Sequence, residues 1–278
     1  MASDKAESTV RHKSGHSSHN SGNAASRNAS RNASRSAKLA KIIAHRGASG
    51  DAPENTLGAL SLAAEHGATC VEIDVSISAD NIPFVHHDDT LERCTSGSGL
   101  LSALNASELD KLTAGKGMAG YENEPLPRLS AVIELLVEHS LGLNLEIKPQ
   151  VGLEERTCRA ISDIILLRWP EHLPLVFSSF SELSLAYVRD MAPEIPRGLL
   201  VESIPTNVEE LVERYRCQNV HCHGEQLDRT AAAHIKSLEL GLYCYTVNST
   251  DDAKTLFDFG VDGIFTDYPK RLLSELSI

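Results

Sequence analysis

The sequence lacks any long apolar run. Its most hydrophobic stretches, such as residues 161–167, are short and broken by Ser or Asp. None approaches the roughly 18 residues of a membrane-spanning helix. Aromatic residues make up only 5% of the chain, and there is a single Trp. No Cys-x-x-Cys pair occurs among Cys70, Cys94, Cys158, Cys217, Cys222 and Cys244. A zinc site of the paired-cysteine type is therefore not expected. Free thiols in a reducing compartment are, so the chain is read as cytoplasmic. The Gly-x-Gly-x-x-Gly turn of dinucleotide-binding sheets is missing after the first β-branched run.

Basic charge is scarce outside the first residues. Residues 1–41 carry eight Lys or Arg against two acids, a net +6, whereas the remainder carries 18 basic and 36 acidic residues, a net -18. An acidic body is a poor partner for nucleic acid. Residues 1–40 contain ten Ser, and Leu or Val appears there only at Val10 and Leu39. Such a segment cannot offset the entropy of folding. It is expected to be a disordered Ser/Arg/Asn-rich tail, with the folded domain at 41–278.

From Lys41 onward, short β-branched runs alternate with helical patterns. Strands are predicted at 42–45, 70–75, 142–147, 174–178, 197–201, 219–222, 242–246 and 262–265. Helices are predicted at 55–66, 129–139, 153–168, 181–190, 206–215, 228–240 and 250–259. Eight strands alternating with helices over about 240 residues fit an α/β chain folded as a (β/α)8 TIM barrel. A doubly wound open sheet is the alternative. One run, 82–85, follows the second strand too closely for a parallel crossover, which needs a dozen or more residues. It must return antiparallel as a β-hairpin extension, placing residue 87 roughly opposite residue 72. Residues 88–127, rich in Gly, Ser and Thr, then form an insertion over the barrel mouth.

Strand side chains two apart share a face. Glu72 and Asp74 therefore point together, away from Val71, Ile73 and Val75. Two carboxylates aimed into a barrel repel unless neutralised. A divalent cation neutralises them, and a solvated pair at a strand end is the other reading. In the third strand Asn144, Glu146 and Lys148 share a face. Glu146 can complete a three-carboxylate site, and Lys148 supplies positive charge there or a structural ion pair. His45, Arg46 and Gly47 close the first strand, where barrel enzymes build their sites. His45 suits proton transfer, and Arg46 can fork onto phosphate oxygens. His87, at the hairpin end, is the second proton carrier, while His86 faces the other way. A cation site, two cationic side chains and an acid–base pair form a kit suited to phosphate ester cleavage. At the seventh strand end His221, Cys222 and His223 line the barrel or pack. Phe180 and Tyr245 fall near strand ends, where they pack or wall the pocket.

These residues lie in stretches that resemble the glycerophosphodiester phosphodiesterase family, in its short bacterial cytoplasmic branch. The stretches are AHRGASGDAPENTLGAL at 44–60, VEIDVSIS at 71–78, FVHHDDTLERCTSGSG at 84–99 and PLPRLSAVIELL at 125–136. They continue with LNLEIKP at 143–149, FSSF at 177–180, YTVN at 245–248 and GVDGIFTDYP at 260–269. The resemblance implies His45 as proton acceptor and His87 as proton donor. It implies Glu72, Asp74 and Glu146 as ligands of one divalent cation, Mg2+ or Ca2+. Arg46 and Lys148 then contact the phosphate, and Glu54 and Asn55 brace the first loop and the metal ligands. The implied reaction is hydrolysis of small glycerophosphodiesters to sn-glycerol 3-phosphate and an alcohol. A lysophospholipase D-type activity and a non-catalytic phosphodiester-binding module are the competing expectations.

Overall fold

The structure is a computed structural model that describes residues 37–277. The tail expected at 1–40 lies almost wholly outside the described residues. From residue 42 the chain builds a closed parallel barrel. Its strands are β1 (Ile42–Ala44), β2 (Cys70–Ile77), β4 (Gly142–Ile147), β5 (Leu175–Ser179), β6 (Arg197–Val201), β7 (Asn219–His223), β8 (Gly241–Tyr245) and β9 (Gly263–Thr266). Each pairs with the next, β9 returns to β1, and Ala44 opposite Val71 closes the ring between β1 and β2. Helices α1 (Leu57–Glu65), α3 (Leu129–Glu138), α4 (Glu154–Arg168), α5 (Glu182–Met191), α6 (Val208–Tyr215), α7 (Arg229–Ser237), α8 (Thr250–Asp258) and α9 (Pro269–Leu276) run outside. The expected TIM barrel is the observed fold, and the open sheet is excluded. No helix among the described residues is long and apolar enough to cross a membrane.

Alternation in the strands explains the layering. Val71, Ile73 and Val75 join Leu60, Ala63, Val132 and Leu136 in an apolar layer between strands and helices. A matching layer covers β6 to β9 with Leu199, Val220, Leu242, Ile264 and Leu272. Each such buried Val, Leu or Ile side chain is worth about 1.5–3 kcal/mol of transfer free energy. Inside the barrel, Leu39, Ile43, Cys70, Val176, Tyr243 and Phe265 form a separate plug. Tyr243 Oη accepts from the Leu39 backbone N–H at 2.9 Å, tying the segment before β1 to this plug. The opposite end, at the strands' carboxyl termini, is left to polar side chains.

The hairpin is present as β3 (Pro83–Val85), antiparallel to β2. Its register is Val75 opposite Val85, which continues to residue 87 opposite 73, one position from the expected 72. The turn closes symmetrically about Asp80, with the Ser78 N–H donating to the Ile82 carbonyl at 3.0 Å. The segment 88–127 carries a short helix, α2 (Ala106–Leu109), and its own apolar cluster of Leu91, Leu101, Leu109 and Leu126 against Phe84. Two helix expectations are corrected. The helix predicted from 55 begins at Leu57, because Asn55 is left-handed (φ 59°) and Thr56 is the N-cap, accepting from the Ala59 N–H at 3.1 Å. The last helix, α9, was not predicted. Pro269 opens it at the first helical position, where a missing N–H costs nothing.

Candidate active site at the carboxyl ends of the barrel strands

The turn after β1 sets up the site. Arg46 and Gly47 are both left-handed (φ 56° and 84°). A Cβ on Gly47 would lie 2.6 Å from the Ala59 carbonyl carbon, so only glycine fits where loop and α1 touch. The turn brings the Arg46 side chain across the end of β2. Its Nε lies 3.1 Å from Asp74 Oδ2, its Nη1 donates to Glu54 Oε1 at 2.8 Å, and its backbone N–H donates to Glu72 Oε2 at 2.9 Å. Asn55 grips Asp74 twice: Nδ2 donates to Oδ2 at 2.8 Å, and Oδ1 accepts from the Asp74 N–H at 3.2 Å. Glu54 and Asn55 thus touch the two groups they were expected to brace.

Glu72, Asp74 and Glu146 converge, with one oxygen from each lying within 4.8 Å of the others. Glu72 and Asp74 are only 4% and 1% exposed, which leaves little water to screen them. Burial, then the Asp74 and Glu146 charges, push the Glu72 carboxyl well above the usual range. Burial and Asp74 push Glu146 up to about 7 against the pull of Lys148. Asp74 stays low, because Arg46, His87 and Lys148 outweigh its burial. Lys148 Nζ lies 3.1 Å from Glu146 Oε1 and 3.9 Å from Asp74 Oδ1. Asp74 Oδ1 is buried without a hydrogen-bond partner among the described residues. A bare carboxylate oxygen between two acids that resist ionisation suits a hard divalent cation, so the residues fit one.

The two histidines flank this cluster. His45 Nε2 is 4.0 Å from Glu72 Oε2, and its Nδ1 donates to Asp267 Oδ1 at 2.7 Å. Asp267 also accepts from Ser49 Oγ at 2.9 Å and from Asn248 Nδ2 at 2.7 Å. Its burial opposes ionisation, but these donors and His45 hold it at about 2. His87 Nδ1 donates to Asp88 Oδ1 at 2.6 Å, and Asp88 is in turn gripped by Arg93. Burial first, then Arg46 and Lys148, lower the His87 pKa against the pull of Asp74 and Asp88. His86 is buried and turned away, its Nε2 on the Thr90 carbonyl at 2.9 Å.

His45, Arg46, Glu72, His87, Glu146 and Lys148 all line one cavity of about 300 Å³. Its far wall is Phe180, Glu202, His223 and Tyr245, with Phe180 and Tyr245 meeting edge to face at 6.0 Å. Both aromatics thus wall the pocket as well as packing. His223 reaches the cavity, Cys222 is buried on the helix side, and His221 is sealed inside the barrel. The insertion contributes only Asp88 and Asp89 to an adjoining cleft that shares His87, Glu146, Lys148 and Phe180.

Asp267, Asp88 and Arg93 were not singled out in the sequence. Asp267 follows β9, and the rule that strand ends build barrel sites would have flagged it. Asp88 and Arg93 carry no such signal, because the hairpin and insertion stand outside the barrel's repeat.

The glycerophosphoryl diester phosphodiesterase family model matches residues 45–271. A glycerophosphodiester phosphodiesterase of Caldanaerobacter subterraneus is 32% identical over 84% of this chain and 96% of its own length. The structure is similar to that of an Oleispira antarctica phosphodiesterase in complex with the product sn-glycerol-3-phosphate. That similarity has a TM-score of 0.84 at 41% identity and covers 86% of this chain and 98% of that one. A glycerophosphodiester phosphodiesterase from Agrobacterium tumefaciens superposes with a TM-score of 0.71 at 27% identity, covering 85% and 100%.

Proposed function

We propose a cation-assisted, two-histidine mechanism for this chain, which belongs to the glycerophosphoryl diester phosphodiesterase family. The chain is a hydrolase of glycerophosphodiesters, and its substrate is a small molecule. The products we infer are sn-glycerol 3-phosphate and an alcohol. The observation that carries the mechanism is convergence: three carboxylates gather, and two of them line one cavity together with two cationic side chains and two histidines.

Glu72, Asp74 and Glu146 would hold one divalent cation, Mg2+ or Ca2+. When bound, it supplies Lewis-acid stabilisation of charge developing on the phosphoryl oxygens. Arg46 and Lys148 add fixed positive charge at the same place, which costs no reorganisation during reaction. His45 accepts through Nε2 the proton of the glycerol 2-hydroxyl as it attacks phosphorus, the bond to the alcohol breaks, and water then opens the cyclic phosphate to sn-glycerol 3-phosphate; direct attack by water is the competing path. The support is Asp267, which takes the Nδ1–H and so leaves Nε2 turned toward Glu72. His87 gives a proton to the leaving alcohol. Its partner Asp88 is neutralised by Arg93, so the imidazolium there is held less firmly. Glu54 and Asn55 keep Arg46 and Asp74 in place. A cytoplasmic setting belongs to the same proposal, supported by five buried cysteines that pack as free thiols.

The test is incubation of the full chain with glycerophosphocholine and, separately, with a lysophospholipid. Release of sn-glycerol 3-phosphate from the first and nothing from the second is expected. His45→Ala should lose at least about 100-fold in kcat while remaining folded by circular dichroism. Headgroup release from the lysophospholipid would favour the phospholipase D-type reading. Binding without turnover would favour a non-catalytic module.

A further inference from the structure

Arg93 lies in the insertion and does not line the 300 Å³ cavity. Its guanidinium nevertheless holds two carboxylates at once. Toward Asp88, Nε donates to Oδ2 at 2.6 Å and Nη2 to Oδ1 at 2.9 Å. Toward Glu54, Nη1 donates to Oε2 at 2.6 Å and Nη2 to Oε1 at 2.9 Å. Both grips are two-pronged, a geometry that only a planar guanidinium provides.

Each carboxylate has its other side on a residue of the reaction. Glu54 Oε1 also accepts from Arg46 Nη1 at 2.8 Å, and Asp88 Oδ1 also accepts from His87 Nδ1 at 2.6 Å. An unbroken chain therefore runs Arg46, Glu54, Arg93, Asp88, His87. It joins the loop after β1 to the end of the hairpin. No other contact described above ties these two segments side chain to side chain.

We propose that Arg93 is a positioning residue for phosphodiester hydrolysis, fixing Arg46 and His87 relative to each other through Glu54 and Asp88. The proposal rests on the roles given above to Arg46 and His87. Without the guanidinium, Glu54 and Asp88 lose the cation they share and repel each other, each held only by Arg46 or His87, which it draws out of place. Displacements of about 1 Å at reacting groups cost on the order of 100-fold in rate. Stability should respond far less, because Arg93 is 47% exposed and ion pairs at the surface add little.

The experiment compares the wild-type full chain with Arg93→Ala and Arg93→Lys on glycerophosphoethanolamine. Thermal midpoints are recorded alongside, and millimolar guanidinium is added back to Arg93→Ala. The expected result is a loss of about 10–100-fold in kcat with KM changed by less than about threefold. The thermal midpoint should be nearly unchanged, Arg93→Lys should stay impaired, and free guanidinium should recover part of the Arg93→Ala rate. Retained kcat in both variants overturns the proposal. So does a loss confined to KM, or a loss that tracks unfolding and that guanidinium does not repair. If Arg93→Ala does not fold, Arg93→Gln is read by the same criteria. An inactive wild-type chain sinks the hydrolase reading, whereas an active wild type with unaffected variants sinks only the clamp.

Discussion

His221 sits inside the barrel with its ring 5.3 Å from those of Tyr243 and Phe265. Neither ring nitrogen has a hydrogen-bond partner among the described residues. Burial lowers its pKa from the ordinary 6.5 to about 3. The unfolded chain therefore binds a proton at this residue between those values and the folded chain does not, so stability falls as pH drops below 6.5. Between pH 7 and 5 the contribution lost is about 2 kcal/mol. His221→Leu should flatten that part of the profile, measured as urea midpoints at both pH values. Equal losses in wild type and variant would contradict the assignment of a neutral buried imidazole. At this scale the sequence was most legible where alternation spoke. Glu72, Asp74 and Glu146 could be placed together because period-two side chains on neighbouring strands must meet. Asp267 pairs with His45 across 222 residues, and no local pattern announces a partner so distant. Arg93 likewise shows no local pattern, since its two carboxylates lie 5 and 39 residues away along the chain.

The elements hold the site through a few strained or capped joints, and the loop from β1 to α1 is the sharpest. Gly47→Ala would force a Cβ against the Ala59 backbone in a left-handed conformation. A loss of about 1–3 kcal/mol in urea denaturation is expected, with kcat falling because Arg46 moves with the turn. An unchanged midpoint would show that the loop yields where the structure says it cannot. Strand positions were legible to within a few residues, since β-branched runs bounded by polar turns define them. Helix starts came within two residues, and the one after β1 begins late because the left-handed Asn55 precedes its Thr56 cap. The hairpin was inferred from the shortness of its connection. Its register came out one residue away, because the symmetric closure about Asp80 decides it and composition does not.

The whole molecule separates two jobs between the two ends of one barrel. A plug of Ile43, Val176, Tyr243 and Phe265 fills the interior, and the site's acids and its two histidines, His45 and His87, lie at the strands' carboxyl ends. The parallel barrel was legible because helix and strand periods alternate from Lys41 onward. Its last helix was missed because a short amphipathic segment after Pro269 resembles a tail. At this scale the decisive question is whether the gathered carboxylates work through a cation. The most direct measurement follows release of sn-glycerol 3-phosphate from glycerophosphoethanolamine by the full chain, stripped with chelator and then titrated with Mg2+ or Ca2+, beside Glu72→Gln. Turnover should vanish on stripping and return with about one cation per chain in the wild type alone. Turnover that persists in chelator, or that Glu72→Gln retains in full, would contradict the site described here.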